Sequence, residues 1–254
     1  MARYLGKLPA KPDQRTLKLA TYLGKGAPPP PPEVTWNRPI PNLGWGMMGN
    51  DTHSNCTCAA AGHMIRQWTA NTGKEVVLPD ATILGFYDFF SDGDPHRGAD
   101  MLAVLRRWRK EGVGDHKIEA FVALALRDEK ELRQAVYLFG SAYIGLALPD
   151  FAVIPGVEQE TIPWVVPAKG PIGDAKPDLT HGHCVPVVAY DEQQLYVVTW
   201  GCLKPMSWDF YHAYTEEAFT VLSPDWFAKA HGGKAPSGFD VTALRHDLAA
   251  VTTK

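Results

Sequence analysis

The stretch that decides the reading runs from Gly49 to Trp68, GNDTHSNCTCAAAGHMIRQW. Its opening residues, Gly49 to Asn55, favour turns and helix caps, and the Ala-rich run after Cys56 is a strong helix former. A cysteine therefore stands where a loop becomes a helix. Free N–H groups and the helix dipole at such a position stabilise a thiolate and draw the thiol pKa below its free value of about 8.5. Cys56 is thus a candidate nucleophile, the plainer alternative being a small buried cysteine. The helix is expected from about Cys56 to Thr72, with Ala59, Ala60, His63, Met64 and Trp68 forming an inward stripe and Gly73 ending it. His63 on that stripe reads as a core residue.

The chain of 254 residues is long enough to build a core without crosslinks, and its net charge of -3 gives no general attraction to nucleic acid or anionic membrane. No segment approaches the roughly 20 apolar residues needed to cross a bilayer, and the N-terminus lacks an uninterrupted apolar core of the secretory type. Four cysteines without a small-domain disulfide pattern suit a reducing compartment, so the expected location is cytoplasmic, with export by a non-Sec route left open. A P-loop and a dinucleotide fingerprint do not occur in convincing contexts, and no cofactor is expected.

Four segments are expected along the chain. Residues 1–33 form a basic tail ending in five consecutive prolines, 28 to 32, which read as an extended spacer. Such a tail packs on the body or stays mobile; an inhibitory pro-segment asks much of so few residues. Residues 34–125 form a helical lobe: an irregular lead-in anchored by Trp36 and Trp45, the Cys56 helix, a second helix capped by Asp80, and a third from about Asp100 to Gly112. Residues 126–226 are strand-rich, with an Asp128-capped helix, a strand at AYIGLAL, a long Pro/Gly-rich excursion at 150 to 182, and strands at HCVPVVAYD, QLYVVTWG and EEAFTVLS. Residues 227–254 are a tail with a helix near Val241 to Val251. Helices first and strands later is the α+β order.

His183 opens one of these strands after a Gly-containing turn, so its ring is expected at a sheet edge, where it can serve Cys56. A thiol nucleophile needs an imidazole to take its proton and later protonate the leaving group, and a third group to orient that imidazole. Cys58 points about 200° away from Cys56 on a helix. Cys184 alternates to the face opposite His183, and Cys202 reads as structural. Cys56-x-Cys58 and His181-x-His183 carry ligand types that zinc accepts, but their spacing is tighter than its usual one, and no metal is expected.

From Val34 to Ser223 the sequence resembles the papain-like cysteine peptidases. VTWNRPI is similar to that family's lead-in, GNDTHSNCTCAA to its nucleophile loop and helix, and DMLAVLRRWRKEGV to its third helix. DEKELRQAVYLFGSAYIGLAL resembles its helix and following strand, and GHCVPVVAYDEQQLYVVTWG its histidine hairpin. The resemblance implies a helical lobe packed on an antiparallel β-rich lobe with a cleft between them. It implies Cys56 as nucleophile, His183 as base and acid, and Asn50, in place of a glutamine, as oxyanion donor. For the orienting residue, anchoring on Trp200 points to Val198 and counting from His183 points to Thr199, of which only Thr199 can hold a ring nitrogen. Thr57 stands where the family has a tryptophan. The activity implied is hydrolysis of peptide or amide bonds in a peptide or protein partner, and the alternative is an inactive scaffold kept as a binding module.

Overall fold

The computed structural model describes residues 3–23, 27–153, 162–227, 242 and 245. The helix expected near Val241 to Val251 lies outside the described residues, apart from those two positions. In chain order the elements are α1 (Leu19–Tyr22), β1 (Val34–Thr35), α2 (Cys56–Asn71), α3 (Asp80–Ser91), α4 (Met101–Glu111), β2 (Ala120–Ala123), α5 (Glu129–Phe139), β3 (Ala142–Ala147), β4 (Gly182–Tyr190), β5 (Gln194–Thr199), β6 (Cys202–Ser207), α6 (Trp208–Tyr214) and β7 (Thr215–Leu222).

Helix α2 is central because little of it can face water. Cys56 through Ile65 is buried without interruption, and Trp68 stacks on Trp108 of α4. The side-chain oxygens of Asp100 and Asp128 cap α4 and α5 by accepting from Ala103 and Glu131 N–H, satisfying donors that a helix start leaves unpaired. Asp80 is not a cap but the first residue of α3, behind Pro79. At the far end of α5 the indole N–H groups of Trp226 and Trp68 donate to the carbonyls of Leu138 and Phe139, at 2.8 and 3.0 Å. Orphan carbonyls of α5 are thereby filled, and α2 is tied to the sheet-bearing half.

The strands pair in the order β2-β7-β3-β4-β5-β6, with β1 added to β4. All named pairings are antiparallel. Strand β4 is buried throughout and lies against α2, which brings the start of that strand to the start of the helix. His183 pairs with Leu146 of β3 in the part of β4 that precedes pairing to β5 at Val187, so among the described strands it has a neighbour on one side, yet it is buried and not exposed at the edge. Between Gly145 and Leu146 the register to β7 slips, leaving Glu216 as an extra residue opposite the slip. The mixed architecture, helices on an antiparallel sheet, is the α+β class expected. No helix among the described residues is long and apolar enough to cross a membrane.

Candidate active site

Cys56 is the first residue of α2. Its thiol meets the backbone amides of Cys184 and Gly6, so the His183–Cys184 peptide abuts the sulfur. The expected lowering of the thiol pKa is reversed. Burial pushes it up to about 11, against the smaller pull of the Cys184 amide, the Lys7 ammonium and the Gly6 amide. The cost of stripping water from a thiolate outweighs what these donors and the helix terminus return.

The His183 ring is fixed on two sides. Its Nε2 lies 2.8 Å from Thr199 Oγ1, and Trp200 stacks on it with centroids 4.5 Å apart and planes 17° from parallel. Val198, the other candidate for orienting the ring, points to the opposite face of β5, into a small core with Ile40, Trp45, Val188 and Leu203. Trp200 adopts a left-handed backbone (φ 44°), an uncommon conformation for a large residue that turns its indole onto the imidazole. Nδ1 has no hydrogen-bond partner among the described residues, and in the tautomer whose Nε2–H donates to Thr199 Oγ1 it carries the lone pair. Burial, with a smaller contribution from Arg3, holds the imidazole pKa down to about 3.

Asn50 completes the group. One hydrogen of its side-chain amide goes to the His53 carbonyl and fixes it, while the other goes to a carbonyl of the N-terminal segment, Tyr4, each at 3.1 Å. The same Tyr4 oxygen accepts from Trp200 Nε1 at 3.3 Å. Asn50 and the His183 platform thus converge on one peptide carbonyl.

That carbonyl belongs to a strap formed by residues 3–8. Arg3 lies over the Trp200 ring at 4.9 Å. Gly6 runs so close to the loop that precedes Cys56 that a Cβ there would stand 1.9 Å from the Ser54 carbonyl oxygen. Backbone bonds fix the strap from both sides: Tyr4 N–H to Asn50 O, Gly6 and Lys7 N–H to Gly182 O, Ala99 N–H to Gly6 O, and Leu8 N–H to Ala99 O, all between 2.7 and 3.2 Å. The proline run that follows is docked too, the Pro31 carbonyl accepting from Tyr190 Oη at 3.0 Å. Sequence reasoning missed Tyr4, Gly6, Lys7 and the ring-covering role of Trp200.

The cysteine and histidine pairs considered for zinc do not gather. Among the described residues, the group whose ligand atoms approach one another is Asp150, Asp178 and His181, partly exposed at the surface.

No family model matches the sequence, and no curated protein matches it in sequence. Solved structures do. Over 87% of this chain and 98% of theirs, the coordinates match xylellain, a cysteine protease from Xylella fastidiosa, at a TM-score of 0.62 and 14% identity. The fold is that of the papain-like cysteine proteases. A digestive procathepsin L 3 of Tenebrio molitor larval midgut matches over 87% of this chain and 76% of its own, with a TM-score of 0.56 and 13% identity. A procathepsin B from Trypanosoma congolense covers 87% and 86%, with a TM-score of 0.52 and 11% identity. In this papain-like fold residues 3–8 tie the parts together: Tyr4 O accepts from Asn50 and from the Trp200 indole that stacks on His183, and Gly6 N–H donates to Gly182 O beside His183.

Proposed function

We propose that the chain is a papain-like cysteine hydrolase acting on peptide bonds, held closed by its own N-terminal strap. The observation that carries this reading is Asn50 donating to the Tyr4 peptide carbonyl, which also accepts from the Trp200 indole stacked on His183. A peptide in extended form already lies across the thiol, with one of its carbonyls on the amide that would stabilise an oxyanion.

With the strap displaced and the site hydrated, His183 Nδ1 takes the Cys56 proton. The thiolate attacks the scissile carbonyl carbon, and negative charge collects on its oxygen, which Asn50 Nδ2–H and the Cys56 backbone N–H stabilise. His183 returns the proton to the departing amine as the C–N bond breaks, leaving a thioester. A water deprotonated by the same nitrogen hydrolyses it and restores the thiol. Thr199 and Trp200 hold the ring throughout.

A second reading, an inactive scaffold, draws on the burial of both groups, which leaves thiol and imidazole neutral. Lys7→Ala loosens the strap and separates the two. In that variant iodoacetamide is expected to label Cys56 ahead of the other cysteines below pH 7, and a peptide mixture is expected to be cleaved in a manner that Cys56→Ala abolishes. Equal labelling of all cysteines with no cleavage establishes the scaffold.

A further inference from the structure

The strap is anchored by a side chain whose surroundings select charge. Lys7 is fully buried, and its Nζ lies 2.6 Å from Glu216 Oε2 and 3.3 Å from Glu217 Oε1. Two consecutive glutamates on a strand ordinarily point to opposite faces. Here Glu216 is the extra residue of the β7 slip, and such a bulge re-aims a side chain, bringing both carboxylates to one ammonium.

The pocket also has a built floor. Gly145 of β3 pairs with Glu217, and a Cβ at Gly145 would stand 2.2 Å from Lys7 Cε, 2.7 Å from Cδ and 2.6 Å from Met101 Sδ. The aliphatic stem therefore fills the space that a side chain at residue 145 would take. Asp100 adds a third carboxylate to the electrostatics of Glu217, and its Oδ2 is buried without a hydrogen-bond partner among the described residues. One ammonium thus answers more than one negative charge, so a vacated pocket calls for a cation.

We propose that the pocket formed by Glu216, Glu217, Gly145 and Met101 is a specificity pocket for a lysine or arginine side chain of a substrate peptide, which Lys7 occupies in the closed chain. The substrate being a peptide rests on the hydrolase reading above; the charge preference rests on the pocket. Lys7 and Gly6 show how a peptide reaches it: their backbones bond to Ala99 and Gly182 while Gly6 lies at the thiol. The basic side chain is therefore read one residue from the one beside Cys56.

The test uses the full chain carrying Lys7→Ala and Cys56→Ala, so that binding is measured without turnover. Fluorescent Arg-Tyr-Leu-Gly-Lys-Leu-Pro, the strap's own sequence, is compared by anisotropy with the same peptide bearing arginine, norleucine or glutamate at the lysine. The lysine and arginine forms are expected to bind at least about tenfold more tightly than norleucine, as for a desolvated charge pair. The preference is expected to vanish on adding Glu216→Gln and Glu217→Gln, and all binding on adding Gly145→Val. Equal binding of the lysine and norleucine forms overturns the proposal whether or not the enzyme is active. Loss of cleavage in the Cys56-bearing chain, with the charge preference intact, sinks only the hydrolase reading. Should Lys7→Ala not fold, Lys7→Met keeps the apolar stem. Protection of its Cys56 from iodoacetamide by the lysine peptide and not the norleucine peptide supports the pocket, and protection by both overturns it.

Discussion

At the scale of single residues, Thr199 is the group whose chemistry is most exposed to test. Its hydroxyl holds His183 Nε2 at 2.8 Å, a task that valine, of nearly equal volume, cannot perform. In the Lys7→Ala background, Thr199→Val is expected to lower kcat by about 10²-fold, the low end of what a positioned acid–base group supplies. KM and the melting temperature should barely move, and Thr199→Asn should restore most of the rate. An unchanged kcat would show that Trp200 alone orients the ring. Counting from His183 points to Thr199, and the family resemblance to Asn50, because each lies in a local frame, a hairpin or a helix-entry loop, whose spacing the sequence carries. Anchoring on Trp200 points instead to Val198, because the phase of a strand depends on its register with neighbours, and the choice of Thr199 rests on its hydroxyl alone. Tyr4 and Lys7 were illegible for a different reason: their partners Trp200 and Glu216 lie in the last quarter of the sequence, and no short-range pattern encodes that contact.

At the scale of elements, helices carried their own punctuation. Asp100 and Asp128 cap as turn chemistry dictates, and Gly112 takes the positive φ (92°) that ends α4. Asp80 misled because Pro79 takes the cap position of α3, leaving the carboxylate inside the first turn. The two aspartates therefore differ in a measurable way. Asp128→Ala, losing the bond to Glu131 N–H, should cost about 1 kcal/mol and lower the melting temperature by about 2–4 °C. Asp80→Ala forfeits only a dipole contact worth about 0.3 kcal/mol and should leave the transition nearly in place. Equal losses in thermal denaturation would contradict this assignment. Strand β6 and helix α6 were not legible: β6 contains Pro205, tolerated because β6 ends the strand order, and α6 spans seven residues without a repeating apolar stripe.

At the scale of the whole molecule, the closed state should depend on pH, and the sign follows from the groups that the strap covers. With the strap in place, burial holds His183 near pKa 3, with Arg3 adding to the effect; once exposed to water, the ring returns toward about 6.5. Protons therefore bind the open state more readily, so the closed state has its full stability above about pH 6.5 and loses it as pH falls from there toward 3, by up to about 1.4 kcal/mol per unit. The anchor acts in the same sense. Glu217 is raised by burial and held back by Lys7, so losing Lys7 leaves Glu217 beside Glu216 and Asp100 with a stronger call on a proton. Acid thus favours release of the strap through both the imidazole and the carboxylates, while Cys56, pushed up to about 11, stays protonated across the range. The measurement is hydrogen exchange at the Gly6, Leu8 and Ala99 amides, whose bonds close the strap, corrected for intrinsic rates. Protection at these three sites should fall by at least about tenfold between pH 7.5 and pH 5, while the α5 amides behind the Asp128 cap hold theirs. Uniform protection at both pH values would mean that the strap is a permanent part of the fold, and would remove acid as a route to opening the cleft.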